Sequence, residues 1–275
     1  MTIEFTITQM QRLKELGVSI EDNRTFLTVE ERELEFSKMA SHYHSQGREA
    51  IRNMLDEPER HPLAQLEDTL AQALVKKNFI EVKTPTIIAR NTLEKMGIGQ
   101  DHPLYEQVFW VDKKRCLRPM LAPNLYFLMR HLKRNINGPL RLFEIGTCYR
   151  RESRGSNHLE DFTMLNLVEL GPENDPTDQL HSHISTVMGA VDLDYKLKTC
   201  QSEVYVHTTD VEVNGIEVAS AAVGPHILDD AHGIKDPWAG VGFGLERLLM
   251  IKNDADNIKR VGRSLIYLRG VRLDI

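Results

Sequence analysis

From residue 107 onward the chain is a succession of extended segments, and this order constrains the fold more than any other feature of the sequence. The segments run over 107–111, 115–118, 140–151, 161–170, 202–205, 208–213 and 216–224, with β-favouring residues and turn residues between them. Helical spacing interrupts them at 123–135, 176–191 and 245–253. Strands that follow strands, with few helices between, predict an α+β fold: a mainly antiparallel β-sheet flanked by helices. Ahead of it, Leu63, Leu66, Leu70, Ala73 and Leu74 share one helical face, after which the chain turns extended at Phe79–Val82 and stops at Pro85. The first 57 residues are rich in charge, with Met10, Leu13 and Leu16, then Phe26, Leu27, Leu34 and Met39, at helical spacing. They predict a helical N-terminal extension of two or three surface helices over 1–57, followed by one main domain over 58–275.

Composition removes several classes of protein. With 41% hydrophobic and 27% charged residues in a chain of 275, neither disorder nor a collagen-like repeat fits. No run approaches the roughly 18 apolar residues of a spanning helix, and residues 1–10 do not resemble a secretory signal. A cytoplasmic protein without a membrane partner is expected. Cys116, Cys148 and Cys200 form no CxxC pair, which argues against a disulfide framework and a Cys-based zinc site. The net charge is −6, yet residues 111–155 hold eleven Lys and Arg against only Asp112, Glu144 and Glu152. A cationic middle in an acidic chain suggests an anionic substrate or a polyanion held locally.

Three segments carry chemistry. In the first, alternation puts Glu144, Gly146, Cys148 and Arg150 on one face of a strand; the chain passes a polar loop and returns with Phe162, Met164, Asn166 and Val168 on one face. Arg150, Glu152 and His158 lie near that loop, and the planar fork of an arginine suits phosphate. In the second, Gly240, Gly242 and Gly244 alternate along a strand and bare one of its faces, a shelf for a planar ring such as adenine; Arg247 follows in the first turn of a helix, where anions are favoured. In the third, Glu217 and Ser220 stand in an apolar strand. Both are hard oxygen ligands suited to Mg²⁺, but a regular strand sends them to opposite faces, so that either a bulge unites them or one acts through water.

These segments occur in the order of one family. The helix, strand and proline at Leu63–Pro85, the hairpin of Arg150-Arg151-Glu152, and Gly242-Phe243-Gly244-Leu245-Glu246-Arg247 resemble motifs 1, 2 and 3 of the class II aminoacyl-tRNA synthetases. More narrowly, Leu117-Arg118-Pro119-Met120-Leu121-Ala122-Pro123-Asn124-Leu125-Tyr126, His158 to Asn166 and Ala221-Ala222-Val223-Gly224-Pro225 resemble the pyrrolysyl branch of that class, over about residues 60–270. One departure is Asn78, where motif 1 commonly has glycine. The chain resembles the short members of that branch, without a separate basic N-terminal tRNA-binding domain.

The resemblance implies ATP and Mg²⁺ as cofactors, and an amino acid, a pyrrolysine-type tRNA and a second copy of the chain, in a homodimer, as partners. It implies Arg150 and Arg247 as catalytic residues on the phosphates, His158 with Arg247 on the outer phosphates, and Glu152 on the adenine amine. Leu159, Phe162 and Gly242 complete the ATP site, and Glu217 and Ser220 hold the metal. The amino-acid pocket falls to Ala122, Leu125, Tyr126, Met129, Asn166, Val168, Ala222, Trp238 and Gly240. Within it Asn166 reads an amide carbonyl on the substrate's side chain, Tyr205 is a mobile cap, and Tyr126 closes the deep end. The implied reaction is formation of an aminoacyl-adenylate and transfer to the 3′ end of tRNA. A phenylalanyl-type synthetase shares the motifs but gives Asn166 no task, and an amide synthetase of this fold would form an acyl-adenylate without tRNA. A binding module without activity is opposed by Arg150, Glu152, Glu217 and Arg247.

Overall fold

The computed structural model describes residues 3–18, 24–151, 158–202 and 204–274. The backbone separates into two compact units, one made of residues 1–61 with 259–275 and the other of Pro62–Ile258.

In the first unit, strands β1 (Ile3–Glu4) and β2 (Thr25–Phe26) pair antiparallel around helix α1 (Ile7–Leu16), and the long helix α2 (Val29–Asp56) follows. Helix α1 starts where Thr6 and Gln9 each accept the other's backbone N–H, and it stops at Gly17, whose φ of 99° suits glycine. Helix α2 starts on Thr28, whose hydroxyl accepts the Glu31 N–H.

In the second unit, α3 (Pro62–Val75) leads into β3 (Ile80–Glu81), β4 (Ile87–Ala89), α4 (Arg90–Glu94), α5 (Pro103–Glu106), β5 (Arg115–Leu117) and α6 (Ala122–Leu132). Then come β6 (Leu140–Tyr149), β7 (Asp161–Leu170), α7 (Pro176–Val191), β8 (Lys196–Ser202), β9 (Val206–Val213), β10 (Ile216–Gly224), α8 (Asp229–His232), β11 (Trp238–Gly244) and α9 (Leu245–Lys252). Among the described residues the main sheet has seven strands in the order β3-β6-β7-β11-β10-β9-β8, antiparallel throughout except for β3 on β6. This is the α+β, mainly antiparallel architecture expected from the sequence. A last pair, β12 (Tyr267–Leu268) and β13 (Val271–Arg272), belongs to the first unit.

One face of the main sheet is packed by α3, α7 and α9. Leu63, Leu66, Leu70 and Leu74 of α3 are buried here, each contributing roughly 1.5–3 kcal/mol of transfer free energy. They are consumed inside the chain, so Leu66, Leu70 and Leu74 offer no apolar face to a second copy. Asn78, at the turn out of α3, has a φ of 62°, a conformation that glycine and asparagine reach most readily, so its departure from the motif keeps the turn. Helix α7 begins where the Asp175 carboxylate accepts the Thr177 and Asp178 N–H groups, with Pro176 as its first residue. The other face of the sheet is covered by a second apolar cluster that includes Leu93, Val108, Leu125, Met129, Val168 and Trp238.

Two expected strands differ. Of the expected segment 202–205, Ser202 ends a strand and Val204 and Tyr205 lie in a turn, and the strand is β8, upstream; it alternates Lys196 and Lys198 at a sheet edge and gives no apolar period. The segment 107–111 is a loop in which only Trp110 forms a bridge, to Cys116.

Candidate active site

On that second face a cavity of about 500 Å³ opens, and every site residue named from the sequence lines it except Glu152, which lies outside the described residues. At one end, Arg150 follows β6. Its Nε donates to the Pro119 carbonyl at 2.9 Å and its guanidinium stands 5.4 Å from the centre of the Phe162 ring. His158 and Leu159 line the same end. Arg247 enters from the first turn of α9, donating to the Glu217 carbonyl at 3.1 Å and lying 4.0 Å from the Glu217 carboxylate. The helix is anchored by Glu246, whose buried carboxylate accepts the Thr163 N–H at 2.9 Å.

The opposite-face difficulty of Glu217 and Ser220 is resolved by a bulge. On the β9 side Glu217 pairs with Glu212, while Ala219 already pairs with Val211, so one residue is gained between them and both side chains open onto the cavity. Ser220 Oγ donates to Asp210 Oδ1 at 2.9 Å across the ladder. Desolvation on the cavity wall, followed by the charge of Asp210, pushes the Glu217 carboxyl above its ordinary value, although half of the side chain's surface is still open. Among the described residues no three His, Cys, Asp or Glu side chains converge as a metal site. Asp210 was not singled out in the sequence, because an acidic residue in a strand gains meaning only from the serine opposite.

At the other end α6 supplies Ala122, Leu125, Tyr126 and Met129, β7 supplies Asn166 and Val168, β10 Ala222, and β11 Trp238 and Gly240. Tyr205 comes from the turn before β9 and packs edge-on to Trp238 at 5.9 Å. The glycine shelf is partly used by the protein itself. A Cβ at Gly242 would meet Asn166 Oδ1 at 3.1 Å and Met164 Cε at 3.2 Å, so glycine there makes room for the amide. At Gly244 the nearest atom is 3.9 Å away, and the shelf is open. Tyr126 donates its hydroxyl to Asp229 at 3.0 Å, and burial, with Tyr205 and Asp229 nearby, raises that hydroxyl's pKa. Asp229 is a second carboxylate that carried no signal in the sequence.

Behind the cavity, Arg118 and Glu144 form a buried pair at 2.7 Å, with the Thr84 hydroxyl donating to Glu144 at 2.6 Å and Asn124 donating to Thr84 at 2.7 Å. This network ties the segment before Pro85 to α6 and to the strand leading to Arg150. It also shows that the cationic stretch is not all free: Arg115 is paired with Asp112, Arg118 with Glu144 and Arg141 with Glu169. Among the described residues no helix is long and apolar enough to cross a membrane.

Comparison with known proteins supplies the family. The model of the class II tRNA synthetase core domain (F) matches residues 48–269. The fold superimposes on a crystal structure of pyrrolysyl-tRNA synthetase from Desulfitobacterium hafniense with a TM-score of 0.92 and 48% identity, over 99% of both chains. A second pyrrolysyl-tRNA synthetase structure from that organism gives 0.90 and 47%, over 99% of this chain and 98% of that one. Among curated relatives, a threonine--tRNA ligase of Wolbachia pipientis subsp. Culex pipiens is 33% identical over 98 residues, which is 34% of this chain and only 15% of the ligase. An O-phosphoserine--tRNA(Cys) ligase of Methanococcus vannielii is 24% identical over 170 residues, 58% of this chain and 32% of that protein. The motifs, the antiparallel sheet and the matched core agree, and the chain belongs to the class II aminoacyl-tRNA synthetases, in the family of core domain (F).

Proposed function

We propose that the protein activates an amino acid whose side chain carries an amide, of the pyrrolysine type, and attaches it to a cognate tRNA, as a pyrrolysine--tRNA ligase in the cytoplasm. A carboxylate oxygen of the amino acid attacks the α-phosphorus of ATP, the bond to pyrophosphate breaks, and an aminoacyl-adenylate forms. A 3′-terminal hydroxyl of the tRNA then attacks the acyl carbon and AMP leaves. Such in-line chemistry needs positioning and compensation of phosphate charge rather than a protein nucleophile. Arg150 compensates the α-phosphate, Arg247 and His158 the outer phosphates, with Glu152, Leu159, Phe162 and Gly242 around the base. The oxygens of Glu217 and Ser220 suit Mg²⁺, which would share the phosphate charge; the raised Glu217 carboxyl beside Asp210 is the kind of site a divalent cation relieves.

The observation that carries this reading is the sharing of one cavity by two arginines and an amide, Asn166, which β7 sets between Met164 and Val168 on the wall that also holds Leu125, Met129 and Trp238. An amide in an apolar wall favours a substrate that can satisfy it and penalises one that cannot. We further propose a homodimer, resting now on the apolar residues around the edge strand β3, where Val75 is 55%, Ile80 57% and Ile87 46% exposed. The experiment is ATP–pyrophosphate exchange with Nε-acyl-lysines, followed by charging of a pyrrolysine-type tRNA. Exchange followed by charging is expected, and exchange without charging would favour a tRNA-independent amide synthetase.

A further inference from the structure

The deep wall of the cavity has a second layer. Asp229, at the start of α8, is 4% exposed and does not line the cavity, yet three donors from three parts of the chain converge on its carboxylate. They are the Trp238 indole N–H at 2.9 and 3.0 Å, the Tyr126 hydroxyl at 3.0 Å and the His226 backbone N–H at 2.6 Å. A carboxylate has acceptor sites for all three at once and no proton to set against them. Tyr126 is also held from behind by His232 of the same short helix, ring on ring at 4.2 Å and 17°. Trp238 is held in the ladder opposite Gly224, where a Cβ would fall 1.9 Å from the indole nitrogen, so no larger residue fits while the indole faces Asp229. Tyr126 and Trp238 then meet edge to face at 5.9 Å.

We infer that Asp229 is a positioning residue for substrate selection: by fixing Tyr126 and Trp238 against each other, it sets the depth of the cavity open to the amino acid's side chain. The inference rests on the proposed function for the identity of the substrate, but not for the geometry. Replacing Asp229 by asparagine keeps the size and leaves one acceptor oxygen, while the new amide group brings donors toward an indole N–H and a phenol that both donate. The phenol keeps a bond only by reversing to accept from that amide, the charge that held the indole is gone, and the wall that touches the substrate loosens without any change at the ATP end.

Two measurements test this. In pyrophosphate exchange with a graded series of Nε-acyl-lysines, Asp229→Asn is expected to raise the amino-acid KM by about tenfold or more and to change the rank order of acyl lengths, with the KM for ATP held within about twofold. Tyr126→Phe, which removes only the hydroxyl, should act in the same direction, and the double variant should be no worse than the more severe single one. Separately, with Trp110→Phe leaving Trp238 as the lone tryptophan, the fluorine resonance of 5-fluorotryptophan should be one sharp line that shifts or broadens on Asp229→Asn. Unchanged constants, or amino-acid and ATP KM rising together with the rank order preserved, would reduce Asp229 to a stabilising core group and overturn the inference. If the wild type activates no amide-bearing lysine, the proposed function fails, and the fluorine line alone decides: a moved line supports positioning and an unmoved one overturns it. Should Asp229→Asn not fold, Tyr126→Phe carries both measurements, with the same outcomes deciding.

Discussion

Glu217 and Ser220 open onto one cavity because the ladder of β10 with β9 gains a residue between Glu217 and Ala219. In a regular strand one of them would lie on the far face, among α3, α7 and α9. The bulge also leaves Glu217 beside Arg247, whose guanidinium lies 4.0 Å from its carboxylate, so cation and anion are poised at the same edge of the site.

Removing either arginine should therefore harm chemistry more than folding. Arg150→Ala and Arg247→Ala are each expected to lower pyrophosphate exchange by about a hundredfold or more, on the order of 3 kcal/mol of transition-state stabilisation. Thermal denaturation should move by no more than about 3 °C, since neither side chain is buried in the core. Exchange within about threefold of the wild type in both variants would remove the proposed ATP site.

The sequence disclosed the parts of the site that follow from periodicity. Asn166, Val168 and Met164 share a face because strands alternate, and Leu125 and Met129 share one because helices repeat every four residues. What it withheld depends on partners that only the folded chain brings opposite one another. Asp210 matters through Ser220, and Asp229 through Tyr126 and Trp238, 103 and 9 residues away. Strand β8 was hidden for a different reason: an edge strand bearing lysines has no apolar period to read. Nor does a count of positive charges reveal which are spent on internal pairs, as Arg118 is on Glu144.

The cations left over should be visible in salt dependence. Lys113, Lys114 and Arg134 are exposed, and if they meet tRNA phosphates, transfer should fall with salt more steeply than adenylation. Each phosphate contact contributes about −0.7 to −0.9 to the logarithmic slope, so that Lys113→Gln with Lys114→Gln should flatten it by roughly one to two. Equal slopes for the two half-reactions would place these charges elsewhere.

His232 gives a pH dependence of stability. Its burial, and then the charge of Lys95, hold its imidazole below the ordinary value of 6.5, while Asp229 pulls weakly the other way. Between the folded and unfolded values the unfolded chain binds more protons, so stability falls as the pH drops through about 6.5 and the loss levels off below the folded value. His232→Phe keeps a ring against Tyr126 and removes the proton. Its melting temperature should decline less than that of the wild type between about pH 7.5 and about pH 5, with the residual slope owed in part to His44 and His61, which are lowered as well. Parallel curves would show that His232 is not the group that titrates.

The dimer proposal predicts twice the mass of one chain by light scattering at micromolar concentration. Ile80→Glu, on the exposed edge strand, should shift it toward the monomer. A monomer in the wild type would rule the dimer out.

The most direct test of the account compares kcat/KM for an Nε-carbamate of lysine and for phenylalanine in the wild type and in Asn166→Ala, because specificity is a ratio of those constants. Loss of a hydrogen bond to an uncharged group costs about 0.5–1.5 kcal/mol, and more where the substrate's carbonyl is left buried without a partner. The alanine also opens space beside Met164 and Val168. The account predicts that the wild type prefers the carbamate, and that the variant loses that preference and gains activity on phenylalanine. If instead the variant activated both substrates proportionally less, with the order unchanged, Asn166 would be a structural amide and an amide-selective site would be contradicted.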